Sequence, residues 1–253
     1  MPSRRNFIKT SSLAIAGLSL SNLSFTKSFV PNSFISNRPP IAERKFISEA
    51  IEAKIVEMKK TIKDEELAWL FENCFPNTLD TTITHKVIEG KPDTFVITGD
   101  INAMWLRDSS AQVWPYLQFV NEDKKLKDLV AGVINRQTKC ILIDPYANAF
   151  NDGPGESPWE NDVTDMKPEL HERKWEVDSL CYPIRLAYGY WKTTTDVSIF
   201  DEDWKSAMKL VLKTFKEQQR KDGKSHYRFM RETAWSTDSL PLGGYGNPIN
   251  PVG

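Results

Sequence analysis

Apolar positions recur at helical steps in several stretches of the chain, and the polar stretches between them are long. Ile47, Ile51, Ile55, Met58 and Ile62 fall three and four residues apart, and the pattern resumes through Leu67, Leu70 and Phe71 until Pro76 ends it. Leu126, Leu129, Val130, Val133, Ile134 and Ile141 mark a second helix from about Asp123 to Ile143, closed by Asp144-Pro145. Asp178 to Lys192 predicts a third, through Leu180, Ile184, Leu186, Tyr190 and Trp191, with Pro183 tolerable only in the first turn. A fourth runs from near Asp201 to Lys221 through Trp204, Met208, Val211, Leu212 and Phe215, and stops at Asp222-Gly223. Thr81 to Ile97 is different: β-branched residues around Glu89-Gly90-Lys91-Pro92 predict a short hairpin. His226 to Glu232 reads as a short strand, and the final twenty residues are rich in Gly, Pro, Asn and Ser.

Two polar stretches stand between these elements. Thr98 to Tyr116, TGDINAMWLRDSSAQVWPY, is a loop that leads into a helix near Asp108. Asn148 to Trp175 is long and irregular; a loop of that length inside a domain is usually functional or disordered, and its Trp and acids favour function. Long helices joined by such loops, with only short strands, predict an all-α toroid or bundle rather than an α/β sheet. No short-period solenoid repeat is present.

Composition adds limits. The 253 residues, 40% hydrophobic and 26% charged, suit one generous domain or part of a larger one. A net charge of −1 gives no support for a nucleic-acid partner. The charge is uneven, however: residues 1–42 carry Arg4, Arg5, Lys9, Lys27 and Arg38 and no acid, leaving 28 basic against 34 acidic residues elsewhere. Ser3-Arg4-Arg5-Asn6-Phe7-Ile8-Lys9, followed by a weakly apolar run from Leu13 to Leu20, resembles a twin-arginine export signal. That run is too short and polar to span a bilayer. The expected division is therefore signal peptide and linker over 1–38 and a helical domain over 39–253. The export machinery is the expected partner, and a periplasm or the exterior the expected destination. Cys74, Cys140 and Cys181 show no CxxC pattern and read as buried free thiols, with one disulfide still open. His85, His171 and His226 form no ligand pair, so a His/Cys metal site is not expected; an all-oxygen calcium site stays open.

Eight Trp fit either an indole-rich core or a carbohydrate site. Asp100, Asn102, Trp105, Arg107, Asp108 and Trp114 lie within fifteen positions. Indoles stack on apolar sugar faces while Asp, Asn and Arg bond hydroxyls. A plain helix start also fits, with Asp108 or Ser109 as N-cap and Arg107 in an ordinary ion pair. The second dense cluster is Glu172-Arg173-Lys174-Trp175-Glu176-Val177-Asp178-Ser179. Glu176 and Asp178 are two apart and would not share a helix face, so one is expected to enter a site and the other to pair with Arg173 or Lys174. Asp178 fits both an N-cap and a general acid, the second requiring a raised pKa in a pocket that Trp175 and Tyr182 could supply.

GDINAMWLRDSSAQVWPYL, YANAFNDGP and ERKWEVDSLCYPIRLAY, in this order, resemble glycoside hydrolase family 125, and the resemblance runs from about residue 45 to the end. It implies an (α/α)6 barrel and an exo-acting, inverting, metal-independent α-1,6-mannosidase on mannose-rich glycans, with no cofactor and no stable membrane insertion. By resemblance Asp178 is the general acid. Asp100, Trp105, Arg107 and Asp108, with Asn102 less firmly, bind the terminal mannose. Asn151, Asp152, Trp159 and Glu160 are rim positions, and Glu176 and Tyr182 stand behind Asp178. The family's general base is a Glu in a further half, which nothing in these residues matches. The expectation is an incomplete barrel with an exposed apolar face. The alternative is a mannose-binding fragment without hydrolysis.

Overall fold

A computed structural model describes residues 34–221, 223 and 225–231. The expected export signal and the glycine- and proline-rich end lie outside the described residues.

Ser48 caps α1 (Glu49–Thr61) by accepting from the Ile51 N–H, and Ile51 and Ile55 form its buried face. The helical pattern expected across residues 47–71 is in fact two helices. Asp64 accepts from the Leu67 N–H and starts α2 (Glu65–Cys74) afresh, and Leu67 and Leu70 face solvent. The hairpin forms as expected, with β1 (Ile83–Ile88) antiparallel to β2 (Lys91–Val96). Its two-residue turn has φ of +50° at Glu89 and +79° at Gly90, the conformation that matches strand twist.

Strand β3 (Met104–Trp105) runs directly into α3 (Leu106–Val113), and Trp114–Phe119 form a 3-10 turn. Asp123 caps α4 (Lys124–Ile143) from Lys125 and Leu126, as the pattern predicts. The long polar loop contains β4 (Ala149–Phe150) and β5 (Leu170–Glu172), which join β3 in an antiparallel sheet of order β3-β4-β5. Helices α5 (Val177–Thr194) and α6 (Glu202–Gln218) follow, the latter capped by Asp201.

Packing pairs α3 with α5 and α4 with α6, and lays β2 along α4. Consecutive helices pack as well, α1 on α2 and α4 on α5. The molecule is thus mostly helical with two small sheets, an architecture that agrees with the expected class at that level. Gly132 of α4 is needed for the closest approach: a Cβ there would lie 2.2 Å from Thr94 Oγ1, which instead donates to the Leu129 carbonyl. The main core joins α1, the hairpin, α4 and the inner face of α5 through Ile51, Phe95, Tyr116, Leu129, Ile134 and Tyr190. A second core joins α4, β4, α5 and α6 through Ile141, Phe150, Leu180 and Val211.

Four expectations need correction. Pro183 lies inside α5, beyond its first turn, so the Ser179 carbonyl forgoes its helical partner. Helix α6 ends at Gln218, and Arg220 takes a φ of +53°. Residues 226–231 form no strand, although Met230 exchanges backbone hydrogen bonds with Val163. Cys74 and Cys181 are exposed rather than buried, and all three cysteines are free. Arg38, counted with the basic head, belongs to the folded unit that starts at Ser36: it pairs with Asp80 at 2.7 Å and with Glu52. Among the described residues no helix is long and apolar enough to cross a membrane.

Candidate active site

The sheet β3-β4-β5 brings two helix starts together. Trp105 is the extended residue before α3 and offers no side-chain cap, so Arg107 and Asp108 fall in the first turn. Neither Asp108 nor Ser109 is the N-cap. Ser109 and Ser110 instead bury their hydroxyls on the Leu106 carbonyl and accept from the Gln137 amide of α4. Across the gap, the residue before α5 is Glu176, in extended backbone and also without a side-chain cap. Asp178 therefore lies inside the first turn and does not cap the helix.

Because Glu176 is not helical, the two-residue spacing does not send it away from Asp178. Both reach Arg107: one guanidinium nitrogen donates to Asp178 Oδ2 at 3.1 Å and to Glu176 Oε2 at 3.4 Å. The other lies 3.4 Å from Asp108 Oδ2, an atom that is itself buried and makes no hydrogen bond. The expected pairing with Arg173 or Lys174 does not occur; Arg173 holds Asp144 at 2.9 Å. Ser179 Oγ donates to Glu176 at 3.2 Å.

One arginine thus faces three carboxylates. Burial disfavours its cation, but the hydrogen bond to Asp178 and the charges of Glu176 and Asp108 outweigh this and raise its pKa. Burial pushes the Glu176 carboxyl up; Arg107 opposes this and the neighbouring Asp178 adds to it. Glu176 is held nearer the protonated form than an ordinary glutamate. The side chains of Arg107, Asp108, Glu176 and Asp178 are 29 to 41% exposed, so the charges of the cluster are partly screened by water.

The remaining expected site residues separate into groups. Trp105 is partly exposed beside this cluster, with the His171 ring packed on it at 5.3 Å. Asp100 and Asn102 are exposed on the preceding loop, where Asp100 accepts from Thr98 Oγ1. Trp114 lies under the Arg185 guanidinium at 4.1 Å, and Tyr182 is 5.6 Å from the same cation. Trp175 packs with Tyr227 and Phe229 rather than beside Asp178. Asn151 clasps its own loop through the carbonyls of Glu156, Pro168 and Leu170. Asp152 pairs with Arg136 at 2.9 Å and Lys86 at 3.6 Å. Trp159 stacks on Arg231 at 3.6 Å, and Glu160 is exposed.

Asn148, Asp162, Glu172 and Arg231, to which the sequence assigned no role, are buried and joined in one hydrogen-bonded chain. A polar Asn between Ala147 and Ala149, just before the buried strand β4, was the available signal. Among the described residues no group of three or more His, Cys, Asp and Glu could hold a metal ion.

A family model for metal-independent α-mannosidases, glycoside hydrolase family 125, matches residues 64–253, which include all three motifs. The chain belongs to that family. It is similar to a solved metal-independent α-mannosidase of Streptococcus pneumoniae, in a non-productive complex with α-1,6-mannobiose. Identity is 42%, with a TM-score of 0.71 over 80% of this chain and 47% of that one. It is also 39% identical over 232 residues to the meiotically up-regulated gene 157 protein of Schizosaccharomyces pombe, covering 84% of this chain and 45% of the relative. The chain spans about half the length of these relatives. Family 125 membership makes the Arg107 cluster the candidate active site, because it gathers the acid-bearing motif and the tryptophan-rich motif in one place.

Proposed function

We propose that this chain is part of an exported exo-α-1,6-mannosidase that acts with inversion, and that Asp178 is its general acid. What supports this is the family-125 match through the motif that holds Asp178, together with the meeting of Arg107, Glu176 and Asp178 at the starts of α3 and α5. Trp105 offers an indole face to the terminal mannose. Asp100, Asp108 and Arg107 offer partners to its hydroxyls. In the inverting reaction the general acid gives its proton to the glycosidic oxygen as the bond to C1 breaks. Water attacks C1 from the opposite face, losing its proton to a second carboxylate about 6.5–9.5 Å away. Arg107, at 3.1 Å, stabilises the carboxylate that Asp178 becomes. None of the described residues is assigned the role of base. The ring of six helical hairpins implied by the family would supply it from its other half.

Incubation with α-1,6-mannobiose tests the reading: mannose should appear first as the β-anomer in proton NMR. Initial α-mannose would reject inversion, and no mannose at all would reject hydrolysis by this chain. The alternative of a mannose-binding fragment draws on the same observation, since only acid-side carboxylates gather at Arg107. Calorimetric binding of mannose without turnover would select it. Activity should withstand EDTA. Replacing Arg4 and Arg5 by lysine should retain the protein inside the cell, and unimpaired secretion would reject the twin-arginine route.

A further inference from the structure

We infer that Asn148 is a positioning residue: its backbone carbonyl holds the Arg107-bearing start of α3, its fully buried side chain holds the segment that delivers Glu176 and Asp178, and Glu172 fixes that side chain in turn. Its consequence for turnover rests on the mannosidase reading; its geometric content does not.

Asn148 is 0% exposed and is bonded at three points. Its backbone carbonyl accepts from the Leu106 N–H at 3.1 Å, the residue before Arg107. Its side-chain Oδ1 accepts from the Lys174 N–H at 3.2 Å, two residues before Glu176. Its Nδ2 donates to Glu172 Oε2 at 2.5 Å. The other Glu172 oxygen accepts from Arg231 at 2.7 Å, and Arg231 also holds Asp162. The two segments that meet at Arg107 are therefore tied through one residue: its backbone carbonyl holds the Leu106 N–H of α3, while its side chain donates to Glu172 and accepts from the Lys174 N–H. Asp cannot donate there when ionised, and an apolar residue can do neither. Two buried carboxylates share the single cation Arg231, so the Asn148 amide is the further donor that Glu172 needs.

Glu176 reports whether this tie holds. It faces Arg107 from α3 with Asp108 beyond it, Asp178 and the Ser179 hydroxyl from α5, and Glu172 from β5. Loosening the tie moves Glu176 away from its one cation. Asn148→Asp also adds a like charge beside Glu172. Both effects raise the Glu176 titration midpoint.

The test is a carboxyl-carbon NMR titration of the full chain. Asn148→Asp should raise the Glu176 midpoint by about one unit. The exchange Asn148→Asp with Glu172→Gln restores one donor, one acceptor and the original charge, and should return the midpoint to the wild-type value. An unmoved midpoint in Asn148→Asp, or an exchange that fails to restore it, overturns the assignment. A role confined to stability lowers the melting temperature without moving the titration. If Asn148→Asp does not fold, Glu172→Gln alone decides: it keeps the Asn148 bond, removes the charge and should lower the midpoint, and no change overturns the assignment. In the same preparations kcat for α-1,6-mannobiose should fall on the order of 100-fold in Asn148→Asp. A wild-type protein that releases no mannose rejects the mannosidase reading, while the titration still judges Asn148.

Discussion

At the scale of single residues, Asp178, Glu176 and Arg107 divide one task. Asp178 is 3.1 Å from the guanidinium and open to solvent, which suits a group that must meet a ligand. Glu176 is deeper, and burial raises its pKa. Asp178→Asn keeps the shape and loses the proton. Hydrolysis of α-1,6-mannobiose should vanish while mannose binding, read by calorimetry, changes little; near-normal turnover would reject the acid assignment. Arg107→Lys keeps the charge and loses the fork that reaches two carboxylates. It should cut kcat/KM by roughly 10- to 100-fold, since a misplaced group loses that much rate. The residue types of this cluster were legible in the sequence, but their pairing was not. Periodicity assigns faces only within a helix, and Glu176 lies just outside one.

At the scale of elements, local signals worked where short-range chemistry decides. Asp123 and Asp201 cap α4 and α6 where the pattern placed their starts, and Glu89-Gly90 turns the hairpin. The same signals failed where packing intervenes. Pro183 is carried inside α5. The contact between β2 and α4 depends on Gly132, and a methyl group there would strike Thr94 side chain and backbone. Gly132→Ala should destabilise the fold by about 1–3 kcal/mol, measured by urea denaturation. A neutral or stabilising effect would show that the hairpin can move off the helix.

At the scale of the whole molecule, titration sets a pH window. Burial lowers the pKa of His85 and His171 from the ordinary 6.5, so the unfolded chain binds their protons more readily. Stability must fall as pH drops through that range. Asp123, Asp196 and Asp201 follow at lower pH. Burial raises Asp123 and Asp201, but the Ser48 hydroxyl and backbone N–H groups, and Lys91 for Asp201, outweigh it. Asp196 is lowered by the Ser198 N–H and Lys127. Their contribution is present above the ordinary carboxylate range and lost below it. Glu176, raised by burial, acts in the opposite sense. The melting temperature should decline from about pH 7 to about pH 5 and more steeply below about pH 4, by calorimetry. A flat profile would contradict the lowered pKa of His85 and His171.

The sequence by itself determined the helices, the hairpin, the two chemical clusters and, through three ordered motifs, the family. Those features follow from residues near one another in the chain: period, caps, turn glycines and the types that grip a sugar. Only the tertiary structure decided which acid meets which base. Arg107 lies about seventy positions from Glu176 and Asp178, and Asn148, Glu172 and Arg231 bond across gaps of 24 and 59 residues. Such partners are chosen by how the helix starts pack against the small sheet, where buried polar groups must find each other or remain unsatisfied.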